Sequence, residues 1–228
     1  MGSRILLIET STECCSAAVC DDDRILAKRS SSAPKVHASM LMPFIKEVLD
    51  ESSLTPKNLD AVAVSGGPGS YTGLRVGVSS AKGLCFGLNV PLISVDTLEI
   101  LAIQGMEHEC RPKYIVPFID ARRMEVYTAR FSGRSAKLSE TQAMILDESS
   151  FSDILSEGPV LFIGTGVEKF HDICKSPNAY FQTCFPLAEN MAVPALSSFK
   201  KKEFKDIAYF EPFYLKEFMI GVSKKSLL

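Results

Sequence analysis

Apolar positions fall into two rhythms along the chain. Near the N-terminus they run unbroken through Ile5-Leu6-Leu7-Ile8, and similar short runs follow at Cys15 to Cys20 and Arg24 to Lys28. Short apolar runs bounded by turn residues predict buried strands, and Asp21-Asp22-Asp23 supplies a hairpin turn between the second and third. From Val36 to Glu51 the apolar residues recur every three or four positions, which predicts a helix. A strand at Asp60 to Val64, a helix at Tyr71 to Phe86, a strand at Pro91 to Val95 and a helix at Thr97 to Gln104 come next, with Asp96 as the last helix's N-cap. The order βββαβαβα mixes hairpins with crossovers, so the sheet must be mixed and flanked by helices.

A second unit begins near Glu107. Tyr114 to Ile119 predicts a strand, and Glu125 to Phe131 alternates so that Tyr127, Ala129 and Phe131 share one face. Val160 to Ile163 reads as another strand, followed by Gly164-Thr165-Gly166 and a helical run to Cys174. Ala188 to Lys201 reads as helical despite Pro194, and Ala208 to Leu215 as extended. No repeat of fixed period appears. The pattern suggests two related lobes, 1–106 and 107–228, with the tail from about 207 returning to the first.

Charge narrows the function classes. With a formal net charge of −2 and a pI near 6.0, the chain lacks the basic excess of a free-standing nucleic-acid binder. Arg122-Arg123, Lys200-Lys201-Lys202 and Lys224-Lys225 read as solvated surface, or as part of an RNA surface shared with another protein. The seven cysteines are odd in number and contain no CxxC, which argues for reduced, mostly buried thiols in a cytoplasmic protein. No run reaches membrane-spanning length, and the first apolar run is too short for a secretory leader.

The stretch SGGPGSYTGLRVG, residues 65–77, links a strand to a helix. It is not a P-loop, because Gly73 is followed by Leu74 rather than Lys, and it is one residue too long for the dinucleotide fingerprint GxGxxG. Asp96 could mimic the ribose-binding acid of a Rossmann domain but serves more economically as a cap. A glycine loop opening a helix suits an anion, and equally suits a plain tight turn; both readings stay open. On the helix, Gly73, Gly77, Ser80, Ala81 and Leu84 fall on one face. Each glycine costs about 1 kcal/mol in a helix interior, so close approach of another element is expected, within the molecule or from a partner.

The preceding helix carries an arc of His37, Ala38, Met40, Leu41, Met42, Phe44, Ile45, Val48 and Leu49 over about half its circumference, wider than the roughly 100° of a one-sided surface helix. His37 invites a metal reading, but the residue four positions on is Leu41, and His108 and His171 lie in unrelated segments. A packed or interfacial histidine is the favoured reading.

ILLIETSTECCSAAV, VHASMLMP, GGPGSYTGLRVG, AKGLCFGLNVPLISVDTLEILA and FIDARRMEVYTARF, in that order, closely resemble the bacterial TsaB (YeaZ) family, with FIGTGVEKF and YFEPFYLKEF further on. The resemblance implies an α/β fold of the actin-like ATPase domain (the sugar kinase/Hsp70/actin superfamily), two lobes each with a mixed sheet flanked by helices. It also implies a non-catalytic subunit in the synthesis of threonylcarbamoyladenosine (t6A) on tRNA. The implied partners are a TsaD-like catalytic subunit in a heterodimer, a TsaE-like ATPase and, through the complex, tRNA; a homodimer is an option for the isolated chain. TsaD places metal on an HxxxH motif of the corresponding helix, which here reads His37 and Leu41, so no metal is expected. The partner face is expected at His37, Met40, Leu41, Phe44, Gly73, Gly77, Ala81 and Leu84. Actin-like ATPases use Asp and Gly in the first hairpin where this chain has Glu9-Thr10-Ser11-Thr12. Independent ATP hydrolysis is therefore not expected. Glu9, Thr10, Ser11, Gly67, Gly69 and Ser70 would form a vestigial nucleotide contact, with ATP or ADP only at an interface shared in the complex. The alternatives are a small-molecule kinase with Asp120 as its acid, a peptidase, or a homodimeric binding module.

Overall fold

The computed structural model describes residues 2–33 and 37–215; Val36, Lys224 and Lys225 lie outside the described residues. Eight elements of the first half appear in the expected order. They are β1 (Arg4–Glu9), β2 (Cys15–Asp21), β3 (Arg24–Ser31), α1 (His37–Glu51), β4 (Ala61–Ser65), α2 (Tyr71–Leu88), β5 (Leu92–Val95) and α3 (Thr97–Gly105). Asn89 ends α2 in the left-handed conformation at φ 57°, and Asp96 caps α3 by accepting the Leu98 N–H at 2.8 Å.

In the second half β6 (Tyr114–Asp120) is followed by β7 (Glu125–Thr128), β8 (Phe131–Ser132), β9 (Gln142–Ile145), α4 (Ser152–Leu155), β10 (Val160–Gly164), α5 (Val167–His171), β11 (Ala179–Gln182) and α6 (Ala192–Lys201). The strand expected from Glu125 to Phe131 is broken into β7 and β8, which both pair with β6. Tyr127, Ala129 and Phe131 still face one core. The helical run after Gly166 ends at His171, short of Cys174. Pro194 sits in the first turn of α6, where its missing N–H costs nothing.

The two sheets share one topology. The first is ordered β3-β2-β1-β4-β5 and the second β9-β7-β6-β10-β11, with two antiparallel pairs on one side of β1 or β6 and two parallel pairs on the other. This pair of lobes is the actin-like ATPase-domain architecture. β1 corresponds to β6, and the β1–β2 hairpin tip to the β6–β7 tip.

Alternation along the strands sends residues to two faces of each sheet. Leu6, Ile8, Val62 and Val64 pack under α1 and α2, whereas Ile5, Leu7, Ala61 and Ala63 pack on Ala188, Met191, Ala192 and Ala195 from the other half of the chain. In the second sheet Val116, Phe118 and Phe162 meet Phe151 and Phe170, and Ile115, Leu161 and Ile163 meet Leu98, Leu101 and Ala102 of α3. A division at 106/107 thus separates the sheets but not the helices. α3 belongs to the second sheet as much as the first, and α6 to the first. A helix apolar on several sides, as α3 is, must bury more than one face.

After α6 the chain runs back over the first lobe. Lys205 N–H donates to Leu92 O at 2.8 Å, Ile207 and Phe210 pack on the α1–α2 core, and Phe213 N–H donates to Gly66 O at 2.7 Å. Lys82 Nζ holds this strap by donating to Phe210 O at 2.8 Å and Ala208 O at 3.3 Å.

Candidate functional site

The β1–β2 hairpin tip and the glycine loop are bound to each other. Ser70 caps α2 by accepting the Gly73 N–H at 3.3 Å, and its own N–H donates to Ser11 O at 2.6 Å. Thr10 Oγ1 donates to Gly73 O at 2.8 Å, so the hairpin grips the first turn of α2. The glycines make this approach possible. A methyl group on Gly69 would overlap the Ser11 carbonyl, one on Gly73 the Thr10 carbonyl, and one on Gly77 the Thr10 hydroxyl. Gly67, at φ +103°, lies against the returning strap, where a Cβ would sit 2.7 Å from Phe213 O. The close approach that the glycines permit is used by the chain itself.

Glu9 is fully buried behind this junction. Its Oε1 accepts the Ser11 N–H at 2.5 Å, while Oε2, Ser11 Oγ and Thr12 Oγ1 are buried without a protein partner. Burial pushes the Glu9 carboxyl up to about 7, an effect only partly offset by hydrogen bonds from Ser11. An all-oxygen set that includes a carboxyl suits water or a cation rather than a phosphate. Glu9, Thr10, Ser11, Gly69 and Ser70 therefore meet at one junction, whereas Gly67 lies against the strap, and this arrangement does not fit a phosphate cradle.

The partner face expected from sequence is redrawn. Leu41 and Phe44 are buried in the core of the first lobe, and Gly73, Gly77 and Ala81 are buried on the inner side of α2. Met40 and Leu84 are half-buried and pack on that core. Gly73 and Gly77 face inward because α2 sits directly on the Thr10 hairpin, a contact no helical wheel can show. The half-buried His37 donates from Nε2 to Thr12 O at 2.8 Å, tying the start of α1 to the hairpin.

What the two adjacent helices turn outward is different. Met42 is 49% exposed and Phe86 82%, and a methyl group added at Gly83 or Gly87 would meet nothing within 4 Å. Between α1 and α2 a mainly apolar pocket of about 210 Å³ is lined by Leu6, Met42, Ile45, Leu49, Leu59 and Leu84. The wide apolar arc signalled that α1 has more apolar surface than its own lobe covers, but it did not single out Met42.

In the second lobe Asp120 ends β6 as Glu9 ends β1. It is exposed, accepts from Lys169 Nζ at 2.7 Å and receives the Arg122 N–H at 2.6 Å. These bonds hold the tight β6–β7 turn, in which Arg122 and Arg123 both take positive φ. Asp96, in turn, is occupied by capping α3 and by an ion pair with Lys137 at 2.6 Å. One pairing escaped sequence reading: Cys110 Sγ lies 3.1 Å from His108 Nδ1. The Cys110 backbone N–H donates to the same nitrogen at 3.2 Å, and burial pushes the thiol pKa up, the reverse of an activated nucleophile. Among the described residues no three His, Cys, Asp or Glu side chains converge to hold a metal ion, and no helix is long and apolar enough to cross a membrane.

A family model described as TsaD, tRNA N6-adenosine threonylcarbamoyltransferase, matches residues 29–227. The Escherichia coli (strain K12) protein named tRNA threonylcarbamoyladenosine biosynthesis protein TsaB is 30% identical over 220 residues, covering 93% of this chain and 94% of that one. The Bacillus subtilis (strain 168) protein of the same name is 34% identical over 166 residues, 70% of each chain. Among solved structures, YeaZ from Pseudomonas aeruginosa superposes with a TM-score of 0.83 at 27% identity, covering 93% of this chain and 100% of that one. A Pseudomonas aeruginosa protein described as uncharacterized with similarity to peptidase YeaZ gives 0.84 at 27% identity, covering 94% and 100%.

Proposed function

Because the chain belongs to the TsaB family, within the wider family that the TsaD model describes, we propose that it is a non-catalytic, activating subunit in the synthesis of threonylcarbamoyladenosine on tRNA. Its working form is a heterodimer with a TsaD-like catalytic subunit, joined by a TsaE-like ATPase, with tRNA bound by the assembly. One observation carries the choice of accessory subunit over transferase. In the HxxxH pattern expected of the catalytic relative, the second position here is Leu41, 1% exposed in the core, and His37 is committed to the Thr12 carbonyl. The pair of imidazoles with which such a motif holds a metal is therefore reduced to His37 alone. The peptidase reading gains no support from the contact of Cys110 with His108, because burial pushes the Cys110 thiol pKa up, away from an activated thiolate.

The heterodimer face on this reading is the outer surface of α1 and α2, led by Met42, Gly83 and Phe86, with the pocket between the helices taking an apolar side chain from the partner. Large apolar side chains left outside are costly in a monomer and enriched in interface cores. Small residues beside them let a second helix approach closely. The isolated chain would homodimerise through the same face. Any ATP or ADP would bind at a surface shared with the partner, because the glycine loop is closed by its own chain.

The test is co-purification with the TsaD-like subunit and assay of tRNA modification with each component omitted. Met42→Glu combined with Phe86→Glu should weaken the heterodimer at least about tenfold, as expected for charges in an interface core, while leaving far-UV circular dichroism unchanged. Wild-type affinity in the double variant would move the interface elsewhere. Modification of tRNA by this chain alone would overturn the accessory assignment.

A further inference from the structure

The second lobe carries an open groove of about 430 Å³ at the end of β6 opposite the Asp120 turn. It is lined by Met106, Pro112, Ser132 and Gly133 together with the cations Arg111, Lys113 and Arg134, and no acidic residue is among its lining. The acids nearby are Glu107 and Glu109 on the preceding turn and Glu157, which pairs with Lys113 at 2.7 Å. Arg111 and Arg134 are exposed, and neither guanidinium has a hydrogen bond or ion pair among the described residues. Elsewhere Arg29, Arg130, Lys28, Lys137 and Lys169 are each tied to a carboxylate. Arg111 and Arg134 thus line one groove with no carboxylate partner among the described residues.

The groove is built rather than accidental. Arg111 holds φ +46°, a conformation that costs a non-glycine residue about 1 kcal/mol. Gly133 N–H donates to Lys113 O at 2.9 Å, and a methyl on Gly133 would overlap the Pro112 carbonyl. Pairing of Tyr114 with Ser132 locks the two loops together, and Ser132 Oγ accepts the N–H groups of Arg134 at 3.3 Å and Ala136 at 3.1 Å. Two arginines are thus carried on separate loops whose backbones are held together, flanked by the apolar Met106 and Pro112.

The geometry points to a phosphodiester-binding site for the RNA backbone, where Arg111 and Arg134 grip one or two phosphates of the tRNA handled by the assembly. Planar guanidinium forks match phosphate oxygens in bidentate fashion. An open groove admits a polymer that continues past both ends, and the flanking acids limit the contact to a few phosphates. Such a short contact agrees with the net charge of −2: it adds to binding by a complex and gives the chain alone only weak, salt-sensitive binding. This assignment rests on the tRNA-assembly reading above, but the groove lies on the second sheet, away from α1 and α2.

The experiment titrates tRNA against the assembled complex by fluorescence anisotropy at several salt concentrations, with wild-type chain and with R111Q/R134Q. Size-exclusion chromatography monitors assembly separately. The double variant should assemble normally, bind tRNA about tenfold more weakly at low salt, and lower the slope of log K against log salt by about 1.5, the value for two phosphates at about 0.7–0.9 each. Unchanged affinity and slope in an intact complex would refute the site and leave the accessory function standing. Arginine-dependent binding of inorganic phosphate or ATP to the chain, with tRNA unaffected, would replace RNA by a small anion and also refute it. If the wild-type chain forms no complex with a TsaD-like subunit, the functional reading fails on its own. The same two chains titrated with tRNA alone at low salt then decide the groove by the same loss.

Discussion

Gly73→Ala and Gly83→Ala make the same chemical change on one helix, and the structure requires opposite outcomes. Both glycines lie within α2, where replacing Gly by Ala gains roughly 0.5–1 kcal/mol from backbone entropy. At Gly83 nothing lies within 4 Å of the added methyl, so that gain should appear in full. At Gly73 the methyl overlaps the Thr10 carbonyl oxygen. That oxygen is backbone, and its hairpin is held by the bonds from Thr10 Oγ1 to Gly73 O at 2.8 Å and from Ser70 N–H to Ser11 O at 2.6 Å. Relief requires the helix or hairpin to move, at about 1–3 kcal/mol for overpacking and about 1 kcal/mol for the strained hydrogen bond. After subtracting the helix gain, a net loss of about 2 kcal/mol remains. For a chain of this size, one kcal/mol corresponds to roughly 2–4 °C. Gly73→Ala should therefore lower the melting temperature by about 4–8 °C, and Gly83→Ala should raise it by about 1–4 °C. Urea unfolding followed by circular dichroism gives the same comparison as free energies. If Gly73→Ala is as stable as wild type, the hairpin does not press on α2 as described, and the glycine loop is free to serve another purpose.

Two further substitutions probe the same junction. Glu9 has its folded pKa raised from 4.5 to about 7 by burial, so the folded state keeps a proton that the unfolded state loses. Its contribution is fully present below about pH 4.5 and is lost as pH rises through about 7, an effect on the order of 3 kcal/mol. Glu9→Gln should flatten the fall in stability between about pH 5 and 7.5, and an unchanged pH profile would show that Glu9 ionises normally. Lys82→Met removes the amine that holds Ala208 O and Phe210 O. Loss of these charge-assisted bonds, about 1–2 kcal/mol in sum at a half-buried site, should raise amide exchange and proteolytic cleavage in residues 205–214. Equal protection in the variant would mean that Ile207 and Phe210 anchor the strap without Lys82.

Much of the fold was legible because its determinants are local. Unbroken apolar runs, the Asp21-Asp22-Asp23 turn and the Asp96 cap specify β1 to α3 without reference to distant residues, and the strands and helices form in the order predicted. β9, α4 and β11 were missed. They are four residues each; β9 and β11 have no buried position and α4 buries only Ile154 and Leu155, which leaves no strong period to read. Leu41 in place of a second histidine was equally plain, since a missing ligand needs no geometry to recognise.

Burial could not be read in this way. The sequence by itself determined that α1 and α2 carry more apolar and small residues than an ordinary surface helix. Only the tertiary structure decided which of them turn inward. Gly73 and Gly77 are glycines because the Thr10 hairpin, more than sixty residues earlier in the chain, lies against them. Leu41 and Phe44 are core because the sheet lies beneath them, and Met42, between the two in sequence, is left half outside because it lies at the rim of that face rather than at its centre. The same holds for Arg111 and Arg134, which are twenty-three positions apart and share a groove only because β8 folds back on β6. Helical and strand periods are properties of neighbours along the chain. Which face meets the core, and which distant charges meet each other, depends on contacts that close loops across the whole fold, and no local pattern records them.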